Sequence, residues 1–334
     1  MSRKIAVVGT GTWGTALAIY AARIGLGVAL LGRRASVVSH LTLDRHHPGL
    51  PKDVGLPEGV HPTTDPRLAF DGAEAILWAV SVQATRQELA RLDSSLPEKV
   101  PIVITSKGVE IESLQTPLEI VEGVRNGRNG LAVLSGPTFA AEVARGLPAA
   151  AVIASHDEAL SESLQAMLSS PTFRFYRSTD VRGVEIAGAV KNVVAIAAGI
   201  VDGLALGHNT RAALLTRALA EIRRLGTRLG GEAETFAGLA GTGDLFLTAT
   251  GDLSRNRRVG LALAGGASLS KAVASLGGEV AEGVYTAPAI VRLAAREGVV
   301  MPISEAVAAI LRGEIAAKDA VYLLMTRRLK DERV

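Results

Sequence analysis

Short apolar runs alternate with segments of helical period through the first half of the chain, and the pattern changes near residue 180. The runs Ile5–Val8, Val28–Leu31, Ala75–Val80, Ile102–Thr105, Ala132–Leu134 and Ala149–Ile153 are rich in β-branched and small residues and show little polar alternation. That pattern predicts strands covered on both faces. Thr15–Ile24, Val82–Leu92 and Pro117–Gly123 read as the intervening helices, and His40 to Pro66, rich in Pro, Gly and His, as a long loop. Strand–helix alternation predicts an α/β fold with a mostly parallel, doubly wound sheet and ligands at the carboxyl ends of its strands. From Val181 onward the period is helical throughout, with helices expected at Val181–Leu204, Thr210–Leu229, Glu234–Ala237, Asn256–Ala264, Ser268–Leu276, Val284–Glu297 and Ile303–Leu311. The small residues of Gly183–Gly207 suit close helix packing, at a domain or a dimer interface.

The first strand runs directly into Gly9-Thr-Gly11-Thr12-Trp13-Gly14 and then into a small-residue helix. In a strand–turn–helix context this spacing serves a dinucleotide. The first glycine allows the tight turn, the second lets backbone approach the pyrophosphate, and the third lets helix and strand touch. The expectation is therefore a Rossmann-like domain over residues 1–180 and an all-helical substrate and catalytic domain over 181–334. The second strand ends at Gly32 and is followed by Arg33 and Arg34, where an NAD-selective site would carry Asp or Glu. Paired guanidinium groups suit the 2′-phosphate of NADP; solvated surface charge is the other reading.

Composition narrows the rest. The 334 residues suffice for two cores, and 48% hydrophobic with 21% charged residues describes an ordinary globular chain. A net charge of +3 with both signs interspersed, and only 4% aromatic residues, disfavour a nucleic-acid surface. The absence of cysteine excludes disulfides and thiolate chemistry and fits a cytoplasmic protein; the first strand follows Met-Ser-Arg-Lys too closely for a signal peptide. Lys191, Asn192 and Asp202 interrupt the most apolar stretch, so it reads as a buried helix and not a membrane span. No metal site is expected, since the adjacent His46 and His47 do not share a helix face.

Lys191 and Asn192 are the unusual polar residues of that apolar helix. A desolvated lysine suits proton transfer near neutral pH, whereas a snorkelling lysine would be purely structural. Lys107, in Ser106-Lys107-Gly108, falls at the carboxyl end of a strand. Gly136-Pro137-Thr138 offers backbone and hydroxyl donors after another, and Ser254-Arg255-Asn256-Arg257-Arg258 is either a phosphate-binding run or a solvated helix start.

Taken in order, Gly9-Thr-Gly-Thr-Trp-Gly-Thr-Ala-Leu-Ala, Ser106-Lys-Gly-Val-Glu110, Leu134 to Pro148, Val190-Lys-Asn-Val-Val-Ala-Ile-Ala-Ala-Gly199, Gly238-Leu-Ala-Gly-Thr-Gly-Asp-Leu245, Asp252-Leu-Ser-Arg-Asn-Arg-Arg258 and Ala281-Glu-Gly283 resemble the bacterial NAD(P)-dependent sn-glycerol-3-phosphate dehydrogenases over nearly the whole chain. The resemblance implies interconversion of dihydroxyacetone phosphate and sn-glycerol 3-phosphate, supplying phospholipid synthesis, by a cytoplasmic homodimer. It implies Lys191 as the proton-exchanging group and Lys107 beside it. Gly136, Thr138, Asn192, Asp244, Thr248, Ser254, Arg255 and Asn256 match substrate positions, with Arg255 on the phosphate. Thr12, Trp13, Arg33, Arg34, Lys107, Ala140, Arg255, Val280 and Glu282 match positions that bind NADP, the preferred cofactor, or NAD. Val80-Ser81-Val82, Thr12, Thr138, Thr210 and Arg211 depart from the usual pattern; Thr12 and Thr138 keep the hydroxyl of the more usual serines, and the others lie beside the site. A reductase of 2-keto or 3-hydroxy acids, with Arg255 on a carboxylate, and an NADPH-binding sensor without turnover are the rival readings.

If Arg33 reads a 2′-phosphate, Arg33→Asp raises the KM for NADPH far more than that for NADH. Initial rates with the two cofactors in parallel check this, and equal effects would refute it.

Overall fold

In the computed structural model, which describes residues 3–329 and 331–332, eight strands form one sheet. They are β1 (Lys4–Val8), β2 (Gly27–Leu31), β3 (Val60–Thr63), β4 (Ala73–Trp78), β5 (Ile102–Ile104), β6 (Leu131–Ser135), β7 (Ala149–Ala154) and β8 (Phe173–Ser178), in the order β3-β2-β1-β4-β5-β6-β7-β8. All neighbours are parallel except β6 and β7. The period-two alternation of a strand sends Ile5, Val7, Val28 and Leu30 into one core and Ala6, Val8, Ala29 and Leu31 into another on the opposite face. Both faces are covered, which is why the strands read as continuous apolar runs.

Two strands escape the sequence reading. β3 lies inside the expected loop of residues 40–66, and its Pro62 is tolerated because β3 is an edge strand. β8, the other edge, alternates buried Phe173 and Phe175 with exposed Arg174 and Tyr176 instead of forming an apolar run. The expected helix over Thr15–Ile24 begins three residues earlier, at Thr12, and Ala75–Val80 becomes Ala73–Trp78.

Beyond Ser178 the described residues contain no strand, and a third core gathers helices around the Val181–Gly203 helix. Asp180 caps that helix through the Gly183 N–H at 2.8 Å and also accepts from Glu232 N and Thr235 Oγ1, tying its start to a neighbouring segment. Long and apolar enough to span a membrane, the helix instead has its apolar length buried inside the protein. Several of its small residues serve packing within the chain. A Cβ on Gly199 would lie 2.1 Å from the Arg257 carbonyl oxygen, and one on Gly260, in the facing Arg255–Ala264 helix, 2.1 Å from that of Ile196. The same helix reaches the sheet. Glu185, buried, accepts from Leu118 N at 2.9 Å at the start of the Pro117–Arg125 helix. Burial pushes its carboxyl up to about 7 against that bond.

Gly260→Ala should therefore cost about 2–3 kcal/mol in chemical denaturation, because the new methyl meets backbone that has nowhere to go. Gly123→Ala, on an exposed helix position with nothing within 4 Å, should be neutral or stabilising by up to about 1 kcal/mol.

Candidate active site

The glycine turn behaves as its spacing requires. Gly9 has φ +115°, and a Cβ there would meet the Ala79 carbonyl oxygen at 2.7 Å. A Cβ on Gly14 would lie 2.0 Å from Gly9 O, whereas one on Gly11 meets nothing within 4 Å. Tight turn, open face and close helix contact are thus divided among the three residues. The Thr12–Arg23 helix that follows has no side-chain cap, so its first N–H groups are free for an anion. Arg33 and Arg34 are exposed at the carboxyl end of β2, with no side-chain hydrogen bond among the described residues. Uncapped helix start, open Gly11 and paired guanidiniums all fit a phosphorylated dinucleotide.

At the carboxyl end of β5 the chain turns through Lys107, which faces the Val181–Gly203 helix. A Cβ on Gly188 would lie 3.0 Å from Ser135 Oγ and at contact distance, 3.4 Å, from Lys107 Cγ. The Lys107 ammonium donates to Asp244 Oδ2 at 2.6 Å and to Gly136 O at 3.1 Å. Lys191 donates to the other carboxylate oxygen, Asp244 Oδ1, and to Thr248 Oγ1, both at 2.7 Å. One fully buried carboxylate therefore holds two ammonium groups in place. Asp244 opens the Asp244–Thr250 helix, where the backbone dipole also favours its charge. Before it, the glycine-rich Leu239–Gly243 segment forms a π-helical turn, as fits a run that follows no strand.

Burial pulls the Lys191 ammonium down to about 8; the Asp244 charge resists this, and Lys107 adds to it. For Asp244 burial would raise the carboxyl, but the two lysines outweigh it and hold it below its ordinary value. Lys191 is only 7% exposed and does not snorkel to solvent.

A second chain of contacts crosses the site. Asn192 donates to Lys107 O at 3.3 Å, Asn256 donates to Asn192 Oδ1 at 2.9 Å, and Gly283 N donates to Asn256 Oδ1 at 2.9 Å. Ser254 caps the Arg255–Ala264 helix through the Arg257 N–H, and Thr138 bonds back to Gly136 O within its own turn. Arg255 is half-buried, and its charge is felt by both Lys191 and Glu282. Glu282 begins the Glu282–Arg296 helix and accepts from Val82 N at 3.4 Å, while its buried Oε2 has no partner. Burial pushes that carboxyl up to about 7.

Lys107, Gly136, Asn192, Asp244, Thr248, Arg255 and Asn256 thus form one cluster with Lys191. Thr12 and Trp13 sit at the glycine turn, Ala140 opens the Ala140–Arg145 helix, and Val280 stands exposed on the loop before Glu282. His46 and His47 lie in the loop beyond β2, His46 against Pro51 O and His47 against Gly49 N. Glu279 was not foreseen. It accepts from Thr12 Oγ1 at 2.9 Å and from Arg258 at 3.2 Å, closing the helical part over the glycine turn. Thr12 and Glu279 are 267 positions apart, so no local signal in the chain could reveal that contact.

Models of the NAD-dependent glycerol-3-phosphate dehydrogenase family match twice, the N-terminal one over residues 4–161 and the C-terminal one over 180–322. A protein of Nitratidesulfovibrio vulgaris named as an NAD(P)+ glycerol-3-phosphate dehydrogenase is 49% identical over 98% of this chain and 100% of its own. One of the same name from Geobacter sulfurreducens is 46% identical, covering 100% of both. A crystal structure of glycerol-3-phosphate dehydrogenase from Coxiella burnetii superposes with a TM-score of 0.93 at 37% identity, covering 98% of this chain and 99% of that one.

Replacing Asp244 by Asn leaves two buried ammonium groups without their shared counter-charge. The Lys191 titration should then fall below about 8. An NMR titration of isotopically methylated lysines checks this, and an unchanged or raised midpoint would contradict it.

Proposed function

The chain belongs to the NAD-dependent glycerol-3-phosphate dehydrogenase family and is an NAD(P)-dependent oxidoreductase that interconverts dihydroxyacetone phosphate and sn-glycerol 3-phosphate; we propose that Lys191 exchanges the proton in that reaction. The observation that carries this is the buried Lys191–Asp244–Lys107 array at 2.6–2.7 Å, at the carboxyl end of the sheet that holds the glycine turn.

When bound, the nicotinamide supplies the hydride that the carbonyl carbon accepts. Lys191 donates its Nζ proton to the carbonyl oxygen, neutralising the alkoxide as it develops, and takes a proton back in the reverse direction. A group titrating at about 8 does both near neutral pH. Asp244 and Thr248 aim that ammonium, while Lys107 adds positive charge beside the developing oxyanion. Asn192 and Asn256 place amide groups along the substrate, and Arg255 takes the phosphate, whose binding holds the ketone in a reactive pose. Gly136, Thr138 and Ser254 complete the substrate-binding set. Gly9, Gly11, Thr12, Trp13, Gly14, Ala140, Val280 and Glu282 line the dinucleotide.

Arg33 and Arg34, exposed and unbonded among the described residues, support a preference for NADP over NAD. We further assign residues 1–180 to cofactor binding and 181–334 to substrate and catalysis, supported by the change from sheet to helices after Ser178. Supply of glycerol 3-phosphate to phospholipid synthesis, in the cytoplasm, is the role this chemistry suits. Homodimer formation rests on the family resemblance.

Purified protein should oxidise NADPH with dihydroxyacetone phosphate, the rate falling as pH rises through about 8 because the donor form of Lys191 is lost. Lys191→Ala should remove most turnover while NADPH affinity, measured by fluorescence, stays within a few-fold. An unchanged kcat would refute the proton-transfer role.

A further inference from the structure

The Arg255–Ala264 helix meets the Val181–Gly203 helix along a seam of small residues. Besides the Gly199 and Gly260 contacts, a Cβ on Gly203 would lie 2.6 Å from Ala264 Cβ. Such a seam brings two backbones together but presents few side-chain knobs to stop one helix rotating or sliding on the other. Polar contacts must supply that constraint. Asn256 donates to Asn192 at one end. Next to it, Arg257 forks onto Asp202 near the far end of the Val181–Gly203 helix, with Nε 2.9 Å and Nη2 2.7 Å from Oδ2. Asn192 and Asp202 are ten residues apart, about 15 Å along the helix axis. Arg211 donates to Asp202 Oδ1 at 3.2 Å from the next helix, and the outer Arg257 nitrogen reaches Asp252 at 2.9 Å. The Arg257 and Asp202 side chains are only 12% and 15% exposed, so little water is available to replace either partner.

Residues i and i+2 on a helix point about 200° apart, so Arg257 and Arg255 face nearly opposite ways. We propose that Asp202, through its ion pair with Arg257, is a positioning residue for the substrate phosphate: it sets the rotation of the first helical turn and thereby the place of the Arg255 guanidinium. The proposal rests on the assignment of Arg255 to the phosphate. It gives a task to an ion-pair cluster that lies outside the proton-transfer array and touches none of its groups.

A double-mutant cycle of Asp202→Asn and Arg255→Ala tests it, with KM and kcat for dihydroxyacetone phosphate at saturating NADPH and thermal unfolding of every variant. Asp202→Asn should raise KM about tenfold with kcat within about twofold, and should add less than about twofold to KM once Arg255 is gone. Arg257→Lys, which keeps the charge but loses the fork, should give an intermediate KM and the same non-additivity. It supplies the cycle if Asp202→Asn does not fold. A KM unchanged in the Asp202 or Arg257 variant, or a loss equally large with and without Arg255, overturns the proposal and reduces the pair to a stabilising contact. An Arg255→Ala variant with unchanged KM overturns the phosphate assignment itself, and the positioning role with it.

Discussion

Everything in the site is arranged around one buried carboxylate. Asp244 lies between two ammonium groups that arrive from different parts of the fold, Lys107 from the end of β5 and Lys191 from the middle of the most apolar helix. Two buried cations close together would repel strongly, and neither would stay charged without a partner. With Asp244 between them the array carries one net positive charge, and Lys191 rests near a pKa of about 8 instead of being driven lower. The carboxylate thus fixes the position of the proton donor and its readiness to give up the proton.

That balance holds only if sheet and helices keep their spacing to within a fraction of an ångström. The structure secures it with polar contacts across otherwise smooth surfaces. Glu185 binds the start of the Pro117–Arg125 helix, Glu282 accepts from Val82 N, and Glu279 reaches the glycine turn at Thr12. Each joins a group from the helical part to one in the sheet part, and two of them end at helix N-termini, where N–H groups otherwise lack partners. Glycine does the complementary work: Gly199 with Gly260 brings the Asn192 and Asn256 helices into hydrogen-bonding range.

The parts legible in the chain are those whose cause is local. Gly9 and Gly14 announced a tight turn and a close helix contact, and both are observed, with open space at Gly11 between them. The central strands read as apolar runs because helices cover both their faces. β3 and β8 were missed for the opposite reason: as edge strands they carry a proline or alternate polar and apolar residues. Lys191 stood out by being charged in an apolar helix, but whether it snorkels or pairs could not be read from that helix alone, since its partner is 53 residues away.

By itself, then, the sequence determined the two-part architecture, the dinucleotide turn, the doubled guanidinium after β2 and, through the order of its motifs, the family. Only the tertiary structure decided that Asp244 is shared by both lysines, that Glu279 meets Thr12, and that Asp202 holds Arg257. These are pairings between side chains far apart along the chain. Periodicity and turn chemistry act over a few residues, whereas a buried charge takes as its partner whichever group the finished packing brings within reach.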